Sequence, residues 1–238
     1  MYDILQTGEE YLCKKRPLVL GISPGNSYYY KNDNLVNLLN FAENNSDKIK
    51  LFIPDIIVAH NYRAVGAEKP ERLAYVKGNR LRNRMKKILK IPDIAEEKFT
   101  WIDWNAEVEG SRRYKENLEE ILQLYNSSPE FNIDVRQTTR IALTRFMAGR
   151  NQNESVDGVD LEEGSQYILK EFAFLSSLPS LWTGFKESSF VYHTEWPVMQ
   201  RFFEGKYDGA PKKHLGFVIY CANTESEQKT DVPIYTSG

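Results

Sequence analysis

Short runs of consecutive apolar residues alternate along this chain with longer stretches in which apolar positions recur every three or four residues. The first run, residues 18–22, reads Leu-Val-Leu-Gly-Ile after Arg16-Pro17 and predicts a strand buried on both faces. Residues 23–27, Ser-Pro-Gly-Asn-Ser, are dense in turn formers. Residues 33–43 then place Leu35, Leu38, Leu39 and Ala42 at helical spacing. Similar apolar runs at 49–53, 99–102, 190–192 and 215–221 predict further strands. Helices are expected from about Pro70, over 113–125, over 134–147 and over 160–175. Tyr114, Leu118, Ile121, Leu122 and Tyr125 fall on one face of the second of these. A polar stretch, 149–158, separates the last two, and the polar tail 223–238 is expected to be loosely held. Strands alternating with helices, with no internal repeat, predict an α/β fold: one domain, 1–238, with a mostly parallel sheet covered on both faces.

Composition narrows the class. The chain has 238 residues, 41% of them hydrophobic and 13% aromatic, enough for a substantial core. No window approaches the ~20 apolar residues of a membrane span. The first ten residues lack the basic-then-apolar pattern of a signal peptide. Two cysteines, Cys13 and Cys221, are too few for a disulfide scaffold, a four-cysteine zinc site or an iron–sulfur cluster. A reducing cytoplasm is the expected compartment.

The net charge of −2 hides an asymmetry. From Lys69 to Lys90, nine basic residues face only Glu71, leaving that segment at +8 and the remainder at −10. Around the predicted helix, Leu81, Met85, Ile88 and Leu89 form a narrow apolar stripe, and Lys77, Arg80, Arg84 and Lys87 cluster on one side. A solvated face usually mixes signs. A one-sign face suits the phosphate backbone of a nucleic acid.

Three smaller patterns carry chemistry. Gly21-Ile22-Ser23-Pro24-Gly25 matches the nucleophile-elbow pattern, although a turn serine that caps a helix would look the same. Only 22 residues precede Ser23, too few for the strands that come before the nucleophile in an α/β-hydrolase. Tyr167 and Glu171, four apart on a predicted helix, share a face and could together hold an ammonium group. A core tyrosine beside a surface glutamate is the plainer alternative. Tyr192-His193 ends a short strand, and His193 is either an acid–base group or a hydrogen-bonded partner of the loops. The chain has no phosphate loop, no G-x-G-x-x-G, no H-E-x-x-H and no HIGH or KMSKS signature. ATP, nicotinamide and zinc therefore lack a visible site.

Taken together these residues resemble the cyclodipeptide synthases. The family's first motif is matched by Gly21, Ser23, Asn26 and Ser27, its Tyr-x-x-x-Glu helix by Tyr167 and Glu171, and a later motif by Tyr192-His193. Asn26 with Tyr192 and His193 is similar to the branch named for Asn, Tyr and His. The resemblance covers residues 18–197 and places the basic helix where the family binds tRNA, through Lys77, Arg80, Arg82, Arg84, Lys86 and Lys87. It implies a Rossmann-like fold similar to the catalytic domain of class Ic aminoacyl-tRNA synthetases, without their ATP chemistry and without a metal. Two aminoacyl-tRNAs would be the partners, with no DNA and no membrane, and nothing demands more than a monomer. Ser23 would carry aminoacyl and then dipeptidyl groups, ending in a cyclic dipeptide. Glu171 and Tyr167 would hold the ammonium, and Tyr192 would position the intermediate or relay a proton. Asn26 and His193 would orient the Ser23 loop. Val19, Gly21, Leu51 and Ile53 would line the first side-chain pocket, an apolar wall that favours an uncharged residue. Gly25 departs from the family, which commonly has a bulky residue there; the expectation is a looser loop or extra room beside the nucleophile. A serine esterase or acyltransferase, and a non-catalytic RNA-binding module, are the competing readings.

Overall fold

The computed structural model of the chain describes residues 2–4, 16–148, 158–182, 188–194, 196–210 and 216–222. Cys13, residues 149–157 of the polar stretch and the tail 223–238 lie outside them. In chain order the elements are β1 (Tyr2–Ile4), β2 (Leu18–Gly21), α1 (Asn32–Asn45), β3 (Ile49–Phe52), α2 (Ala59–Ala64) and α3 (Pro70–Ile88). They continue as β4 (Phe99–Trp101), α4 (Arg112–Ser127), α5 (Pro129–Ala148), α6 (Leu161–Ser177), β5 (Ser189–Tyr192), α7 (Pro197–Phe203) and β6 (Gly216–Ala222).

The boundaries follow local chemistry. Pro70 opens α3, where its missing N–H costs nothing. Ser111 caps α4 by accepting from the Tyr114 N–H. Asp160 caps α6 by accepting from the N–H groups of Glu162 and Glu163, both at 3.0 Å. Three elements escape the hydrophobic pattern: β1, the short α2 and α7. Helix α5 also begins five residues before its expected start, at Pro129, because its first turn carries little periodic apolar signal.

The strands form one sheet in the order β1-β6-β5-β2-β3-β4, parallel except for β1 against β6. The chain winds outward from β2 to β4, then returns to lay β5 on the opposite side of β2. Right-handed crossovers therefore put α1 and α3 on one face and α4, α5 and α6 on the other. The winding reverses between β2 and β5, and the crevice at their carboxyl ends is where such sheets bind ligands.

Helix α6 is the pillar of its layer, packed by α2, α4 and α5, with 12 of its 17 residues buried. Phe174 on α6 stacks on Phe52 at 4.1 Å between ring centroids. Pairing register places Val19, Lys50 and Phe190 on this face, with Gly21 and Phe52 one pleat further on. Leu18, Leu20, Ile49, Leu51 and Val191 face the other way. A Cβ on Gly21 would lie 2.4 Å from the Phe190 ring, so only glycine fits. Gly78 plays the same part on α3, where a Cβ would lie 2.1 Å from the Asp55 Cβ. That contact lets the helix close on the turn after β3, and Asp55 accepts a hydrogen bond from Arg82 at 2.7 Å.

Gly78→Ala tests the contact. Helix propensity alone would stabilise the alanine variant by ~1 kcal/mol. Overlap with Asp55 opposes this and is expected to dominate, giving a net loss of about 1–3 kcal/mol in urea unfolding. A gain in stability would contradict the packing described.

Candidate active site

Ser23 stands two residues beyond β2, half-buried, in a turn closed by the Asn26 N–H donating to its carbonyl at 3.3 Å. Asn26 then caps a 3-10 turn, Ser27–Tyr30, its Oδ1 accepting from the Tyr28 N–H at 2.9 Å. This turn carries three consecutive tyrosines, each anchoring it differently. Tyr29 is fully buried and donates its hydroxyl to the Gly21 carbonyl at 2.7 Å. The Tyr28 ring stacks on His193 at 4.6 Å. Tyr30 donates its hydroxyl to the Pro24 carbonyl at 2.7 Å.

His193 links the turn to the end of β5. Its Nε2 lies 2.7 Å from Asn26 Nδ2, and its Nδ1 lies 2.9 Å from the Tyr29 hydroxyl. Since the Asn26 amide only donates there and the Tyr29 proton goes to Gly21, the pattern assigns the proton of a neutral ring to Nδ1. Burial, with the Arg145 guanidinium nearby, pushes the imidazole down to about 3. His193 therefore stays neutral across physiological pH, and the acid–base alternative gives way to that of a hydrogen-bonded partner.

Tyr167 and Glu171 project from α6 toward the same crevice, both buried. Tyr167 is within hydrogen-bonding reach of Glu171, and Tyr192 within reach of Ser23. Burial pushes the Glu171 carboxyl up to about 8, against the hydrogen bond from Tyr167. Its Oε2 is buried without a hydrogen-bond partner among the described residues. Burial, and next the charge of Glu171, raise Tyr192. Glu171 and Tyr192 line a narrow pocket with Phe190, Trp196 and Met199. Ser23, Tyr167, Glu171 and Tyr192 are thus brought to one place from β2, α6 and β5.

Other expected residues are placed differently. Val19 and Gly21 share the α6 face, but Leu51 points to the opposite face because strand side chains alternate. Ile53, one residue past β3, is buried. The position level with Val19 on the α6 face is Lys50, ion-paired with Glu107 and lying over the Trp182 ring at 5.5 Å. The sheet surface there is less apolar than Val19, Gly21, Leu51 and Ile53 suggest. Beside Gly25, the Phe146 ring of α5 stands 3.4 Å from where a Cβ would lie, so the expected room near the nucleophile is bounded.

On α3, the stripe Leu81, Met85, Ile88 and Leu89 is buried, and Lys77, Arg80, Lys86 and Lys87 are exposed. Arg82 departs from the expectation of a phosphate contact, because it binds Asp55 and lies over Trp101 at 5.8 Å. Arg84 donates to the Tyr30 carbonyl and lies over the Tyr30 ring at 5.7 Å. Tyr28, Tyr29 and Tyr30 went unrecognised in the sequence pattern. Their run immediately after a turn is the signal that could have marked them. Among the described residues no three His, Cys, Asp or Glu side chains converge as a metal site requires, and no helix is long and apolar enough to cross a membrane.

The sheet reverses its winding at a serine turn, with a buried carboxyl and tyrosines across the crevice at the carboxyl ends of β2 and β5, where such sheets bind ligands. A family model described as cyclodipeptide synthase matches residues 5–221. The chain belongs to the cyclodipeptide synthase family. It is similar in fold to a cyclodipeptide synthase from Bacillus thermoamylovorans, with TM-score 0.77 and 18% identity over 92% of this chain and 95% of that one. A Mycobacterium tuberculosis protein, whose structure relates cyclodipeptide synthetases to type I tRNA synthetases, gives TM-score 0.70 at 18% identity, covering 93% of each chain. The cyclodipeptide synthase from Candidatus Glomeribacter gigasporarum bound to Phe-tRNAPhe gives 0.59 at 18%, over 94% of this chain and 97% of that one. No curated protein sequence matches the chain.

Two titrations check the site's electrostatics. The unfolded chain loses the Glu171 proton near 4.5 and the folded chain near 8, so folding retains a proton between those values. Stability contributed at this position is full at low pH and falls as pH rises toward 8. Glu171→Gln removes the effect, and its stability relative to wild type is expected to grow by up to ~1.4 kcal/mol per pH unit across that window. In NMR spectra, the His193 ring resonances are expected to stay fixed from pH 5 to 8; a mid-range titration would overturn the neutral-ring assignment.

Proposed function

We propose that the chain makes a cyclic dipeptide from two aminoacyl-tRNAs by a ping-pong route through Ser23, in the Asn-Tyr-His manner. The observation that carries this reading is the convergence, at the reversal between β2 and β5, of the Ser23 turn with a Glu171 oxygen that is buried without a hydrogen-bond partner among the described residues. In the first half-reaction the Ser23 Oγ attacks the ester carbonyl of one aminoacyl-tRNA. The aminoacyl–serine ester forms, the tRNA 3′-oxygen leaves, and the serine proton passes to it. Glu171, with Tyr167, holds the aminoacyl ammonium in the apolar crevice. A carboxyl titrating near 8 can take up a neutral amine and become its ion pair, so no net charge need enter the buried site.

The amine of the second aminoacyl-tRNA then attacks the aminoacyl–serine ester, giving a dipeptidyl ester still carried by its tRNA and freeing Ser23 to receive the chain again. The Ser23 Oγ then attacks the dipeptidyl ester, and the tRNA 3′-oxygen leaves with the serine proton. The dipeptidyl–serine ester so formed has a free terminal amine facing its own carbonyl. Attack closes the six-membered ring and releases Ser23. Holding both ends in one crevice makes closure unimolecular, an advantage of roughly 7–11 kcal/mol at best. Tyr192, beside Ser23, positions the intermediate and relays the proton. Neutral His193 acts through Asn26 and Tyr29 on the geometry of the turn. Since the ester arrives activated, the reaction as read needs neither ATP nor a metal. Helix α3 supplies phosphate contacts through Lys77, Arg80, Lys86 and Lys87.

Mass spectrometry of purified protein incubated with all twenty charged tRNAs tests the proposal. Cyclic dipeptides are expected with wild type and are lost in Ser23→Ala, which still binds tRNA. Arg80→Glu is expected to weaken tRNA binding and reduce its salt dependence. Turnover of small esters without tRNA, indifferent to Arg80→Glu, would favour a serine esterase instead.

A further inference from the structure

The basic helix and the nucleophile turn meet where Arg84 reaches Tyr30. Arg84, on the crowded basic face of α3, donates from its guanidinium to the carbonyl of Tyr30 and covers the Tyr30 ring at 5.7 Å. Tyr30 in turn donates its hydroxyl to the carbonyl of Pro24, the residue after Ser23. Tyr30 is 40% exposed, unlike its neighbour Tyr29, which is fully buried. An exposed tyrosine with its hydroxyl turned back onto its own loop is held by that bond and by the arginine above it.

Resting on the reading of Ser23 as nucleophile and α3 as the tRNA-facing helix, we propose that Arg84 and Tyr30 are positioning residues that couple tRNA binding to the geometry of the Ser23 turn. A guanidinium has five N–H donors in a rigid plane. One reaches the Tyr30 carbonyl, and the others can engage a backbone phosphate held beside it by Arg80. Phosphate binding fixes the plane of Arg84. The fixed plane holds the Tyr30 ring and carbonyl, and Tyr30 holds the Pro24 carbonyl, which orients the Pro24–Gly25 peptide and through it the turn that carries Ser23. Binding energy taken up far from the ester is thereby spent on aligning the attacking oxygen. Arg84 thus differs in role from Lys77, Lys86 and Lys87, which contribute charge, and from Arg80, whose charge also acts on the Tyr30 hydroxyl.

Two variants separate positioning from binding. Tyr30→Phe keeps the ring under Arg84 and removes the hydroxyl from Pro24. Arg84→Lys keeps the charge and removes the planar fork. Each is assayed for tRNA affinity, for melting temperature, and for the single-turnover rate of Ser23 labelling by radiolabelled aminoacyl-tRNA at saturation. Both variants are expected to lose about 3- to 10-fold in the saturated rate, as for one hydrogen bond. Tyr30→Phe keeps its affinity within about 2-fold of wild type, whereas Arg84→Lys, which also loses its planar phosphate contact, loses a few-fold in affinity besides the rate at saturation. Arg80→Ala, by contrast, is expected to lose affinity and about one unit of salt slope. The double variant Tyr30→Phe/Arg84→Lys is expected to be no slower than the slower single variant, because both cut one path. Rates that multiply, or a Tyr30→Phe rate equal to wild type, overturn the coupling. A melting temperature lowered in step with the rate overturns it in favour of a merely structural contact. Wild type that never labels on Ser23 overturns the serine reading itself and this inference with it.

Discussion

The hydroxyl of Tyr29 touches the carbonyl of Gly21 and the ring of His193, and through them it joins the ends of two strands that are adjacent in space and far apart in sequence. Gly21 ends β2 and His193 follows β5. Between them lies the crevice in which everything reactive converges. The bridge works only because Gly21 has no side chain, which admits the rings of Phe190 and Tyr192 to the same face. Once β2 and β5 are locked at this level, the Ser23 turn faces α6, and the spacing of Tyr167 and Glu171 along that helix brings both to it.

Electrostatically the molecule separates two tasks. The crevice holds groups kept neutral by burial: a carboxyl titrating near 8, an imidazole near 3, and tyrosines raised beyond ionisation at ordinary pH. Charge is concentrated instead on α3, where it is exposed and screened by water and salt. A substrate with a polyanionic body and a small cationic end fits both environments at once. Arg82 and Arg84 mark the seam, since each is turned from the solvent toward its own protein.

Much of the fold was legible because its strands are continuous apolar runs and its long helices carry strong amphipathic stripes. The elements that escaped are short: three residues of β1, and helices α2 and α7 of six and seven residues. Their formation depends on tertiary contacts that periodicity does not encode. Within the site, Ser23, Tyr167, Glu171 and Tyr192 were legible as a spaced set. Their environment was not, because burial and hydrogen-bond order arise from distant segments. Tyr29 looked like any aromatic residue until β5 was laid beside β2. The family resemblance put Leu51 beside Val19 in the first pocket, whereas the pleat sends it to the other face. Arg82 carries the same charge as its neighbours on α3, and only the approach of Asp55, permitted by Gly78, withdraws it from them.

The outermost strands of the sheet are both three residues long, β1 on one side and β4 on the other. Strand β6, seven residues long, would otherwise present a parallel-sheet border with unpaired amides; the chain's own first residues cover part of it, running in the opposite direction. At the far border, Arg82 lies over the Trp101 ring at the end of β4. An edge this short offers few backbone hydrogen bonds to a foreign strand. Where β1 and β4 form its borders, the sheet is therefore poorly suited to growth by addition of neighbouring molecules.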